Sequence, residues 1–501
     1  MESLWLARDH VIETDAWSGE RVDELVVGAG LAGLTTALLL ARAGRRVTVI
    51  EARSVGAVTT GRTTAKLTLL QGAHLQTVKR RSYQAIVQAY VDANRAGQDW
   101  MLDFAARAGV PVQRRPAVSY AATPGGIDTV VREHALARSV GLPTRLSYDA
   151  GLPFRTHAAV TLDDQAEFDP LDVLTALAAE LRSLGGRIVE GTRLTGARAS
   201  TPVVAHTTRG DVECERLVLT TGIPVLDRGL YFAKVSPSRS YAASFRAPGE
   251  LPRAMYLSVD APTRSIRTTP VASPSAPSAT SGDELLLTGG NGHGVGRYRS
   301  PAECVADLLA WTRRHWPGSE PTHVWSAQDY ETPHGVPFVG WLPRGRGRVF
   351  LATGFDKWGM TNAVQCALTL AATLLGETSP EWARVLGRRI TLPAAFAWGV
   401  GANAAVAKHY ALGYAKALFT PLPPGAPAEG HGLVGREDMR LAAASTVDGR
   451  TDRVSPVCPH LRAILSWNDA EQSWDCPAHG SRFSADGRLL EGPAVCGLRR
   501  L

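Results

Sequence analysis

Residues 24–51 read ELVVGAGLAGLTTALLLARAGRRVTVIE. A β-rich run at 24–27 leads into Gly28-x-Gly30-x-x-Gly33, and an apolar helical pattern follows over 34–43. Gly44 can end that helix, and 45–50 reads as a second strand closed by Glu51, 23 residues after Gly28. Gly28 permits a tight turn, Gly30 lets the backbone approach a pyrophosphate, and Gly33 lets helix and strand pack closely. The helix N-terminus, with Leu34 at the start of its apolar pattern, faces the phosphates. Glu51 is placed to accept hydrogen bonds from a ribose 2′-OH, and its charge argues against a 2′-phosphate. Strand, glycines, helix, strand and acid occur in order, so a Rossmann-type dinucleotide site is expected. The alternative is a glycine-rich turn in some other α/β fold.

The chain has 501 residues, enough for two or three cores. Its apolar fraction of 45% and charged fraction of 20% are those of a folded protein. No apolar run reaches the ~18–20 residues of a membrane span. The start, MESLWLARDHVIETD, has early acids and no apolar core of a secretory signal, so a cytoplasmic protein is expected. The net charge of +7 invites a nucleic-acid reading. Its basic residues are nearly all arginines scattered singly, with six lysines and no basic tract, so nucleic acid is not an expected partner.

The motif alone does not choose between FAD and NAD. Residues 59–68, TTGRTTAKLT, and 352–362, ATGFDKWGMTN, resemble segments of the D-amino-acid oxidase-like (DAO-type) flavoprotein family. So do AEFDPLDVL (166–174), LYFAKVSPSRSYA (230–242) and VWSAQDYETPHGVPFVG (324–340), with a departure at His334, where the family pattern has Asp. The resemblance covers most of residues 1–390 and implies FAD. It implies that Arg62, Thr63, Thr64, Gly354, Gly359, Met360 and Thr361 join Gly28, Gly30, Gly33, Leu34 and Glu51 around the cofactor. It also implies a discontinuous α/β (α+β) fold of two domains. A dinucleotide-binding core would comprise residues 1–80, 155–225 and 330–390, and an antiparallel-sheet substrate domain residues 81–154 and 226–329. PVASPSAPSATSGD (270–283) reads as a mobile loop. Lys357 resembles a family lysine beside the flavin's pyrimidine edge, where it would hold a substrate carboxylate or stabilise reduced flavin. Trp358 would stack near the ring. Tyr241 and His293 are the further catalytic candidates, and Lys66 and Arg62 are read equally as cofactor contacts or plain surface.

After a Pro-rich linker at 419–430 comes a short-stranded β domain of residues 431–501, with Asp448-Gly449 in a hairpin turn. The preceding segment 394–418 reads as a helix with an apolar face, able to dock the β domain or a partner chain. Of six cysteines, Cys214, Cys304, Cys366 and Cys496 show no pattern and read as buried or inert thiols. Cys458-x-His460 and Cys476-x-x-His479 differ. Zinc would take two Cys and two His, but its common spacings keep like residues together. One Cys and one His on each loop suits a cluster with two thiolates on one iron and two imidazoles on the other. With CPHL and CPAHGS around them, these pairs resemble a Rieske [2Fe–2S] domain. Ala463 and Ala478 stand where respiratory relatives have a disulfide. Ser481 is placed to donate to a cluster sulfur, and Phe483 replaces a tyrosine, so Phe483→Tyr is expected to raise the potential. The exposed histidine edge is the expected electron exit.

Together these features predict an FAD-dependent oxidoreductase. It would take hydride from an amine, amino acid or 2-hydroxy acid and pass single electrons through the cluster to a ferredoxin, cytochrome or quinone. The alternative is a reductase relaying electrons from NAD(P)H or a ferredoxin to a protein partner. Only one Rossmann unit is evident, which disfavours an NADH site. No Asp-x-x-His-x-x-x-His stretch is present for the mononuclear iron of a ring hydroxylase.

Overall fold

A computed structural model describes residues 1–271, 284–298 and 300–501. The 270–283 loop therefore lies, from residue 272 onward, outside the described residues. Strand β1 (Val22–Val27), helix α1 (Leu31–Arg42) and strand β2 (Val47–Ile50) form the expected unit. The helix starts three residues before its apolar pattern, because Gly30 is its extended N-cap, with φ −88° and ψ −174°. β1 lies between β2 and strand Gly210–Leu219, and all three run parallel. Strands Val349–Thr353 and Arg187–Val189 extend the parallel sheet on either side. Leu25, Val26, Val49, Ile50, Leu217, Val218 and Leu351 are fully buried, as the apolar runs of a sheet covered on both faces require. α1 packs against helices Pro170–Ser183 and Gly359–Leu375. The former starts cleanly: Asp169 accepts from the Leu171 amide at 2.9 Å and Pro170 takes the first helical position.

Among the described residues the second sheet has nine strands, ordered from Glu320–Glu331 through Ser236–Arg246, Glu284–Gly294, Arg264–Pro270, Met255–Ser258, Gln113–Ala121 and Ala158–Glu167 to Lys66–Leu67, with Arg145–Ser147 beside Ala158–Glu167. All its pairings are antiparallel except that between Met255–Ser258 and Gln113–Ala121. Two sequence boundaries shift. Ala158–Glu167 and Lys66–Leu67, expected in the dinucleotide core, are strands of this second sheet. Helix Gln84–Ala108, expected in the substrate domain, packs on helix Gly359–Leu375, where a Cβ on Gly97 would lie 2.6 Å from the Thr361 carbonyl. Local pattern marked these elements but not the sheet each joins, which long-range pairing decides.

The C-terminal β domain has a three-stranded sheet (Gly432–Glu437, Arg440–Val447, Arg450–Val454) and a four-stranded sheet (Ser466–Asn468, Ser473–Asp475, Arg482–Ser484, Leu489–Glu491). Val447 pairs with Arg450 across Asp448 and Gly449, at φ 52° and 72°, the type I′ geometry that an Asp-Gly turn favours. Helix Pro393–Phe419 braces this domain. Its Tyr414 hydroxyl donates to the Arg462 carbonyl at 2.7 Å, and Asn403 donates to the Ala233 carbonyl at 2.9 Å. Among the described residues no helix is long and apolar enough to cross a membrane.

Candidate functional site: a flavin cavity and an adjoining cluster site

A cavity of about 720 Å³ runs from the C-terminal end of β1 to the second sheet, within the size range of cofactor pockets. Gly28, at φ 108°, turns the chain where a Cβ would lie 2.8 Å from the Thr220 carbonyl. A Cβ on Gly33 would lie 1.9 Å from the Gly28 carbonyl, so this glycine sets the close approach of helix and strand. Gly30, Leu31 and Ala32 line the cavity, no acid occupies the first turn of α1, and the Leu31 amide donates to Thr60 Oγ1 at 3.2 Å. A helix N-terminus without an acid, lined by Gly30, fits a pyrophosphate. Glu51 also lines the cavity, accepting from the amides of Ala29 and Arg53, both at 2.9 Å, and burial raises its pKa. The residues present fit a dinucleotide with its phosphates on α1.

Several of the residues singled out as cofactor contacts line the cavity. Arg62, Thr63, Thr64, Lys357, Trp358, Gly359 and Met360 line the cavity with Gly28, Gly30 and Glu51. Lys357 sits in a left-handed loop at φ 68°, its amide donates to Asp329 at 2.5 Å, and its Nζ lies 2.8 Å from where a Cβ on Gly292 would be. Others are not cavity residues. Leu34 is buried in the α1 core. Gly354, at φ 78°, makes the turn before the Lys357 loop. The Thr361 hydroxyl donates to Asn94 of helix Gln84–Ala108 and accepts from Gln71 at 3.2 Å. Each lies one helical face or one turn away from the neighbours that reach the cavity.

Tyr241 and His293, the further catalytic candidates, are brought together. Tyr241 borders the cavity, but its hydroxyl turns to His293 Nε2, 3.2 Å away. The phenol packs with Cys304 and Leu308 against Ala470 of the β domain. Along a strand alternate side chains point to opposite faces. Tyr241 shares its face with Arg239, which donates to Ser326 at 2.6 Å and Gln328 at 2.7 Å, whereas Ser240 and Ala242 line the cavity. The pair therefore belongs to the interface of the two domains. Asp329 was not singled out from the sequence. It lines the cavity, accepts from the amides of Tyr330 and Lys357, and burial lifts its carboxyl to about 7.

Two short loops of the β domain carry the Cys/His pairs. The first is closed by the Cys458 amide to the Ala463 carbonyl at 2.9 Å, the second by the Cys476 amide to the Ser481 carbonyl at 2.8 Å. Both thiols are buried and adjacent, with Ser481 beside Cys458. The two imidazoles are 5.2 Å apart, and each has a buried Nδ1 without a partner among the described residues. Two adjacent thiols and two orphaned imidazole nitrogens are the donor set a Rieske cluster takes. Ala463 and Ala478 are buried beside them, and so is Phe483. Cys496, expected to be buried or inert, is exposed.

The histidine edge is not exposed. His460 Nε2 bonds Asp227 at 3.0 Å, and Phe232 meets both rings, at 5.5 Å and 5.1 Å. The β domain is seated on the flavin domain. Gln328 donates both to the Tyr330 hydroxyl, at 2.9 Å, and to the carbonyl of Gly480, at 2.8 Å. Tyr330 lines the cavity, Gly480 follows His479, and Leu490, Glu491 and Gly492 form part of the cavity wall. Arg297 donates to the Pro477 carbonyl at 2.8 Å, and Ser300 to Asp469 at 2.8 Å. Glu471 is the buried polar centre of the seat, accepting from Ser326 at 2.5 Å and Arg482 at 2.6 Å, with Arg239 and Arg62 at 3.9 Å and 4.0 Å. Burial pushes this carboxyl up, but Arg482, then Arg239 and Arg62, outweigh it and bring it down to about 2.

Glu471→Gln leaves these guanidinium groups facing a neutral amide. It is expected to cost about 3–5 kcal/mol, the scale for breaking a buried ion pair, read by denaturant unfolding of the holoprotein. The folded value lies below the ordinary 4.5, so this contribution is complete above about pH 4.5 and fades as pH falls toward 2. The gap between wild type and variant should narrow over that window.

The cluster's surroundings also set an expected pair of opposite shifts. Ser481→Ala removes a hydrogen bond to a ligand sulfur and should lower the potential by roughly 60–130 mV, taking ~1.5–3 kcal/mol for a charged hydrogen bond and ~59 mV per tenfold. Asp227→Asn removes a negative charge from His460 and should raise it. Redox titration followed by electron paramagnetic resonance reads both.

Comparison with known proteins agrees with this geometry. The family model described as FAD dependent oxidoreductase (DAO) matches residues 23–373, and that of the Rieske [2Fe-2S] domain matches residues 427–500. The chain is 29% identical over 483 residues to the putative Rieske 2Fe-2S iron-sulfur protein YhfW of Bacillus subtilis, covering 96% of this chain and 93% of that one. The cytochrome b6-f complex iron-sulfur subunit of Microcystis aeruginosa is 36% identical over 66 residues, 13% of this chain and 32% of that one. Among solved structures, glycine oxidase from Geobacillus kaustophilus has a TM-score of 0.60 at 21% identity, covering 72% of this chain and 96% of that one. L-proline dehydrogenase from P. horikoshii has a TM-score of 0.58 at 18% identity, covering 72% and 95%. These two likenesses establish a shared fold. With cavity, cluster loops and both family matches in agreement, the chain belongs to the DAO family of FAD-dependent oxidoreductases and carries a C-terminal Rieske [2Fe–2S] domain.

Proposed function

We propose that the protein oxidises a small amine or amino acid at a C–H bond beside nitrogen and delivers the electrons singly to an external acceptor. Bound FAD supplies a two-electron hydride acceptor, and the Rieske cluster a one-electron carrier. The observation that carries this reading is the seat of the cluster domain on the cavity wall, with Gln328 joining cavity-lining Tyr330 to Gly480. Such contact suits transfer within one chain better than delivery by an outside reductase.

The residues toward the second sheet favour a small substrate. Ser240, Ala242, Ser265, Gly290 and Gly292 line the cavity there, the Lys357 Nζ fills the space a Cβ on Gly292 would take, and Lys357 supplies the cation for a substrate carboxylate. Glycine oxidase and L-proline dehydrogenase, which share the fold, are named for small amino acids. With the histidine edge covered, the exit we favour is the tip of the Cys458 loop, where Pro459, Leu461 and Arg462 are exposed. A ferredoxin, cytochrome or quinone would meet the cluster there.

The test is an anaerobic titration with amines, N-methyl and D-amino acids, 2-hydroxy acids and NAD(P)H. Optical spectra follow the flavin and electron paramagnetic resonance the cluster. Bleaching by an amine or amino acid, followed by a growing cluster signal, supports the reading. Reduction by NAD(P)H alone would replace it with the electron-relay reading.

A further inference from the structure

Lys66 is a buried lysine in the cavity wall, at 8% exposure. Its Nζ donates to the Tyr256 carbonyl at 2.6 Å and to the Ser265 hydroxyl at 2.7 Å. It forms no ion pair among the described residues. Two charged groups face it: Arg267 from strand Arg264–Pro270, and Glu167, its register partner on strand Ala158–Glu167. Glu167 is itself engaged, with Arg267 at 3.3 Å and Arg115 at 3.7 Å. Strand Met255–Ser258 offers only the Tyr256 backbone.

These contacts suit a neutral amine. An ammonium has three N–H donors and no lone pair, and when buried it calls for a counter-charge. A neutral –NH₂ has two donors and one lone pair. Tyr256 and Ser265 take two donors, and the remaining tetrahedral position is left for the lone pair. Burial first, and then the charge of Arg267, bring Lys66 down to about 7 against the pull of Glu167. Desolvation beside another cation is a known way to make a lysine basic yet uncharged near neutrality.

We propose that Lys66 is the base that takes the proton from the substrate's ammonium before its C–H bond breaks. The inference rests on the amine reading above. An amine gives up hydride only when its nitrogen lone pair is free, because that pair becomes the new C=N π bond. In free solution such a nitrogen is an ammonium near neutral pH. The Lys66 lone pair forms an N–H bond, and the substrate N–H bond breaks with its electron pair left on the substrate nitrogen. Lys66 ends as an ammonium, and no electron is gained or lost in this step.

Two measurements on the holoprotein test it. The first is nuclear magnetic resonance of ¹⁵N-lysine protein, in which Lys66→Met and Lys66→Arg assign one signal among six. That signal should titrate near neutral pH, and a titration near the ordinary ~10.4 would overturn the proposal whatever becomes of the variants. The second is the pH profile of anaerobic flavin reduction at saturating amine. Wild type should lose rate as pH falls below about 7. In Lys66→Met the rate at pH 7.5 should drop about 100-fold or more, the scale of a lost general base, and the acid limb should move up to the substrate's own ammonium value. Lys66→Arg should do no better. An unchanged limb and rate in Lys66→Met, with amine still bleaching the flavin, would remove Lys66 and leave the amine reading intact. Failure of every amine to bleach wild-type flavin would remove both.

Discussion

Cys458→Ser or Cys476→Ser is expected to abolish the cluster signal in electron paramagnetic resonance and reduce transfer to a one-electron acceptor to background. Bleaching of the flavin by substrate should persist. A serine hydroxyl does not ionise near neutral pH and is a poor ligand for a site that selects soft thiolates. The thiols are fully buried within the core of the β domain, together with Trp474 and Phe483. A domain this small draws part of its stability from bound metal. Its seat on the cavity should therefore loosen as well, and limited proteolysis near residue 430 should report this. Persistence of the full cluster signal in either variant would contradict the ligand assignment.

Gly33→Val should yield colourless protein, with affinity for FAD reduced at least about 100-fold. The added Cβ would lie 1.9 Å from the Gly28 carbonyl and 2.8 Å from Thr220 Oγ1. The first neighbour is backbone at the turn that presents α1 to the phosphates, so relief of the clash moves the turn itself. Overpacking of this kind costs about 1–3 kcal/mol or more, added to the loss of the phosphate site. Gly399→Ala, in helix Pro393–Phe419, is the matched control. A Cβ there meets nothing within 4 Å, and the change should stabilise by about 0.5–1 kcal/mol without touching colour. Flavin absorbance and equilibrium dialysis separate the two outcomes, and a yellow Gly33→Val would contradict the placement of the phosphates.

Local chemistry made most of this site legible in the sequence. Gly28, Gly30 and Gly33 each answer a demand set within a few residues, and so does the Asp448-Gly449 turn. The Cys/His pairs are legible for the same reason: each lies on a loop closed by its own backbone bonds. What could not be read depends on contacts far apart in the chain. The face on which Tyr241 lies follows from its register against Ser326 and Gly290. Covering of the histidine edge depends on Phe232 and Asp227, more than 220 residues from His460, which they meet. Asp329 stands inside a quoted motif, yet its role arises from the amides of Tyr330 and Lys357 that hold it. Lys66 is buried against Tyr256 and Ser265, both about 190 residues or more away in the chain, and no local pattern separates that placement from plain surface.

Electrons taken at the cavity are expected to reach the cluster inside one chain. Freeze-quench electron paramagnetic resonance after anaerobic mixing with a reducing substrate measures this directly, repeated over a wide range of protein concentration. Cluster reduction should follow flavin bleaching with a first-order rate independent of concentration. A cluster that stays oxidised while the flavin is bleached, or a rate that rises in proportion to protein concentration, would contradict it.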